Sequence, residues 1–123
     1  MSDLVDRVER ARSLMNEAMK MCNESIVEFS QGRDSKDVVD TVWESYRRVE
    51  HAIILIRLSI GDEYAPDRES LEDSSDIGGL LVKASDALSE AIGRLDSDLN
   101  EVLRKARVSR DALRSVLSRF KMR

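Results

Sequence analysis

The chain's 123 residues suffice for one domain, spanning 1–123, with a core that needs neither disulfide nor metal support. Apolar residues at 41% and charged residues at 36% exclude a disordered chain, and a net charge of −4 with a pI near 5.1 argues against a dedicated nucleic-acid binder. A single cysteine (Cys22), no apolar stretch in the charged residues 1–12, and a longest apolar run of only 52–56 exclude an internal disulfide, a secretory signal and a membrane span, so the expectation is a cytoplasmic protein without a membrane partner.

Aromatic residues are only 4% of the chain, so the core has to be aliphatic. In the first segment, 3–30, Leu4, Val8, Ala11, Met15, Ala18 and Cys22 alternate by four and three, and Ile26 and Phe29 extend them. That spacing puts one stripe on one face of a helix. Asp3 and Asp6 suit the positive end of its dipole, and Gly32 marks its stop. A second helix follows with Asp34 or Ser35 as its cap. Val39, Val42, Tyr46, Val49, Ile53, Ile56 and Ile60 form its seam, with Val42, Val49, Ile53 and Ile56 expected against helices one and three. Ile54, Leu55 and Leu58 add apolar surface on the far side, the mark of a central or interface helix. Gly61 is the expected stop.

Residues 62–76, DEYAPDRESLEDSSD, form an acidic connection, with Pro66 able to open a short turn. A third helix begins near Ser75 or Asp76, with Ile77, Leu81, Ala84, Leu88, Ala91 and Leu95 as its seam. Leu99, Val102, Ala106, Leu113, Val116 and Phe120 continue that stripe, and Asp96-Ser97-Asp98 and Ser109 are both candidate caps. The predicted fold is an all-α, antiparallel up-down bundle of four helices, with three long helices as the alternative.

The C-terminal helix is basic. Residues 103–123 carry eight Lys or Arg against Asp111 alone, leaving the rest of the chain at about −11. Arg107, Arg110, Arg114 and Lys121 line one flank of its apolar stripe. They would suit phosphate contacts, or would pair with acidic partners such as the 62–76 connection. His51, the sole histidine, shares the far face of helix two with Leu55 and Leu58, which nominates those three as interface residues. With no second His or Cys nearby, metal ligation is disfavoured, and no cofactor is implied. Glu50 and Arg57 are expected to pair along helix two, and Trp43 to join the core. Gly78-Gly79 lacks any P-loop context and reads as a site of close helix packing.

The helix-one stripe, the Gly32-Arg33-Asp34 turn, and the run from Trp43 through Tyr46, Arg47, Arg48 and His51 to Gly61 resemble a HEPN domain, a small helical family often encoded in defence and toxin systems. The resemblance covers the first half of the chain. It implies an RNA-associated protein, with Arg47 and His51 as the alternative catalytic pair. Family ribonucleases hold their Arg and His over a longer interval than the three residues between Arg47 and His51, and later in the domain. The resemblance therefore implies a noncatalytic relative or an interaction partner.

No complete catalytic set stands in the sequence. The expected function is a non-enzymatic helical interaction module, self-associating as a homodimer or docking a helical partner. The alternative is a HEPN-like protein acting on RNA.

Overall fold

The apolar seams fold as helices. The computed structural model describes residues 3–61 and 76–121, of Lys121 the backbone only. It consists of α1 (Asp3–Ser30), α2 (Ser35–Ile60), α3 (Ile77–Arg94) and α4 (Leu99–Lys121), with no strand among the described residues. No described helix is long and apolar enough to cross a membrane.

Local chemistry sets the helix ends. Gly32 and Gly61 take φ of +70° and +80°, a left-handed geometry that favours glycine, and the Gly61 N–H returns to the Arg57 carbonyl. The Asp34 side chain accepts from the Lys36 N–H at the start of α2, and Asp76 accepts from Gly79 N–H at 2.7 Å at the start of α3. Between α3 and α4, Asp98 accepts from the Glu101 N–H with its side chain and from Val102 with its carbonyl, so the chain breaks at 95–98. Ser109, the other candidate cap, lies inside α4, and the three-helix alternative is set aside.

Contacts fix the arrangement. The Ser45 hydroxyl donates to the Ala18 carbonyl at 2.7 Å and Arg7 donates to the Leu58 carbonyl, so α1 and α2 run antiparallel. The Cys22 thiol donates to the Leu81 carbonyl and Arg12 pairs with Asp96, which makes α3 antiparallel to α1. Arg114 donates to the Tyr46 hydroxyl and Arg110 pairs with Glu50, which makes α4 antiparallel to α2. Every flanking pair is antiparallel, and α2 lies diagonally across the bundle from α3. Val42, Val49, Ile53 and Ile56 are buried as their spacing predicts, but α2 is flanked by α1 and α4 rather than by α1 and α3. The reason is the route of the chain. α2 ends beside the start of α1, whereas α3 starts beside its end, with Gly78 against the Phe29 ring. The end of α2 and the start of α3 thus lie at opposite ends of the bundle. The expected acidic docking segment and the Pro66 turn lie outside the described residues.

The core is one aliphatic cluster running through all four helices, including Met15, Ile56, Leu81, Leu88, Leu113 and Val116. Cys22 belongs to it. A Cβ on Gly78 would stand 3.6 Å from the Phe29 ring, an ordinary van der Waals contact, so Gly78 lies against α1 but the packing there does not itself require glycine.

Candidate interaction surface

On α2 the buried seam faces α1 and α4, and no other described helix packs on its opposite side. A helix turns by 3.6 residues, so Trp43, Arg47, His51, Ile54 and Leu58, spaced by four, four, three and four, stand in one outward row. Trp43 is 47% exposed, Ile54 55% and Leu58 58%. Trp43 was expected in the core. It follows the buried Val42 by one residue, which on a helix rotates the side chain about 100° toward solvent. Leu55, expected on the same face, is half-buried instead and packs against the core on the α1 side. His51 is half-buried in the row.

The row rests on a fixed base. Trp43 stacks on Tyr46, with ring centroids 5.5 Å apart and planes at 18°. The Tyr46 hydroxyl accepts from Arg114 at 3.3 Å. Arg114 and Arg110 both reach Glu50, at 3.8 and 3.7 Å, and Arg110 also holds Asp111 at 3.2 Å. Glu50 was expected to pair with Arg57 on its own helix; it faces α4 instead, and Arg57 is exposed with no ion pair among the described residues. On the other flank Glu44 holds Arg48 at 2.9 Å and Arg47 at 3.6 Å, and Arg48 crosses to Glu17 of α1. Near the end of α2, Ile54, Arg57, Leu58 and Gly61 line a hollow of about 370 Å³.

Of the four basic residues nominated for phosphate contact, Arg110 and Arg114 are committed to Glu50, and Arg107 is half-buried. The side chain of Lys121 lies outside the described set. Lys105 pairs with Glu90 across the α3–α4 hairpin, and Arg104 with Glu101. Glu50 is thus an acidic partner of Arg110 and Arg114, one that spacing along one helix could not associate with α4. Arg47 and His51, the alternative catalytic pair, stand one turn apart on the outward row. Neither lines the hollow near Arg57 or the hollow of about 680 Å³ along α1 at Met19, Val27 and Arg33. Among the described residues no three His, Cys, Asp or Glu side chains gather into a metal-holding group.

The fold and this surface define a class, the all-α four-helix bundle with an exposed aromatic and aliphatic helix face. Comparison with protein-family models, curated proteins and solved structures finds no match for the chain.

Proposed function

We propose that this protein is a non-enzymatic helical interaction module that self-associates through the outer face of α2. The observation that supports this reading is the row Trp43, Ile54 and Leu58, each about half exposed on one rigid helix. Scattered apolar side chains are ordinary on a protein surface, but a row in which an aromatic anchor, an arginine, a histidine and two aliphatic residues share one helix face has the mixed composition of an interface. Tryptophan and arginine carry much of the binding energy where proteins meet. Burial of such a row removes apolar surface from water at about 25 cal/mol per Å².

Sedimentation equilibrium of the wild type and of Leu58→Glu tests it. The wild type should show a dimer mass that grows with concentration, and Leu58→Glu a monomer with the same helical circular dichroism. A wild type that stays monomeric into the high micromolar range contradicts the reading.

A second reading, a HEPN-like RNA-associated protein, draws on Arg47 and His51 sharing the exposed face one turn apart. It predicts RNA binding that falls steeply with salt and is lost with Arg47→Ala. RNA binding unaffected by that substitution removes it.

A further inference from the structure

The outer face of α2 carries both an exposed aromatic ring and a hollow. Trp43, 47% exposed and stacked on Tyr46, lies near one end, and Ile54, Arg57, Leu58 and Gly61 line the hollow of about 370 Å³ near the other. Trp43 and Leu58 are fifteen residues apart, roughly 22 Å along a helix, so a chain's own Trp43 cannot reach its own hollow. A second copy can. In a two-fold contact the same patch meets itself, and an axis perpendicular to both helices places the start of one α2 against the end of the other.

Resting on the self-association proposed above, we infer that the partner is a second copy of this chain, paired antiparallel through α2, with Trp43 of each copy seated in the other's hollow against Arg57. Setting Trp43 opposite the partner's Leu58 puts the two-fold axis between residues 50 and 51 and sets Arg47 opposite the partner's Ile54. In such a pairing, residues on the same edge of the two helices meet. Trp43 and Arg57 qualify, because they are fourteen residues apart, close to four full turns. Arg57 is exposed and has no ion pair among the described residues, which leaves its guanidinium available to the partner's indole. Tyr46 already covers one side of the Trp43 ring. Near the axis the two Glu50 carboxylates approach each other, and each is already compensated by Arg110 and Arg114 of its own chain. A parallel pairing would set Trp43 against Trp43 and Arg57 against Arg57, leaving both hollows empty and two like charges opposed.

Engineered cysteines in the full chain read the register, since the native Cys22 is buried. Oxidised His51→Cys should give a disulfide-linked dimer, because that position lies next to the axis. Ile54→Cys should not, because the two copies of that position would stand about seven residues, or roughly 10 Å, apart along the helix axes. The double variant Arg47→Cys/Ile54→Cys should link again. Arg57→Ala should weaken dimerisation about 25-fold or more, because the two-fold pair loses two cation–π contacts, each worth about 5-fold or more, and Trp43→Ala should weaken it further. Cross-linking of Ile54→Cys but not His51→Cys, in a protein that still dimerises, overturns the antiparallel register and leaves self-association standing. A dimer that none of these cysteines links places the interface elsewhere and overturns this inference together with the proposed α2 face. A wild type that does not associate overturns both.

Discussion

Ser109 is fully buried in the middle of α4, and its hydroxyl has no hydrogen-bond partner among the described residues. The other two buried serines differ: Ser25 donates to the Cys22 carbonyl and Ser45 to that of Ala18. An unbonded buried hydroxyl is destabilising, so Ser109→Ala should raise the unfolding free energy by about 1 kcal/mol, measured by urea titration. Cys22 makes the opposite case of a polarisable group well placed. Burial, with Asp86 adding to it, pushes its thiol from an ordinary 9.0 up to about 12. The folded protein should therefore resist iodoacetamide at neutral pH, while the urea-unfolded chain reacts readily. The sign of the linked stability follows. The unfolded chain gives up this proton near 9.0 and the folded chain only near 12, so the thiol's contribution is intact below pH 9 and is lost as pH rises toward 12. The sequence indicated that Cys22 was core from its place in the stripe. It held no sign that Ser109 was buried, because a serine between apolar residues reads equally well as a helix cap.

At the scale of the element, α2 was the most legible and the most misleading. Its three-four seam located Val42, Val49, Ile53 and Ile56 in the core, all of them buried. Ile53→Ala should cost about 2–5 kcal/mol in thermal or denaturant unfolding, as comparable truncations do. Periodicity alone did not say which flank of the seam would be covered, because that depends on the two neighbouring helices. Leu55 is half-buried and packs against the core, whereas Ile54 and Leu58 turn away from both described neighbours, α1 and α4, and stay exposed. Trp43 was assigned to the core on its size, against its angular position. Glu50 was assigned a partner on its own helix, whereas it joins Arg110 and Arg114 of α4. Glu50→Ala should strip the half-covered Arg110 of its cross-helix partner and cost about 1–2 kcal/mol, with a smaller difference at high salt. An unchanged denaturation midpoint would show that Asp111 alone satisfies that guanidinium.

At the scale of the whole molecule, the helices and most of their ends were readable because each rests on local chemistry. Asp34, Asp76 and Asp98 cap starts, and Gly32 and Gly61 end helices. Which helix lies beside which was not readable. α3 begins at the opposite end of the bundle from the end of α2, and that choice puts α4 rather than α3 next to α2. It also brings Arg110 and Arg114 of α4 to Glu50, and Arg114 to Tyr46, beside the outer row of α2. The proposed interaction surface rests on this topology more than on any motif. If the outer row of α2 is covered when two chains meet, as proposed, Trp43, the sole tryptophan, reports on it directly. Acrylamide quenching of its fluorescence, measured from nanomolar to high micromolar protein, should fall as concentration rises, with Leu58→Glu quenched equally at every concentration. Quenching of the wild type that does not change across that range would contradict the account.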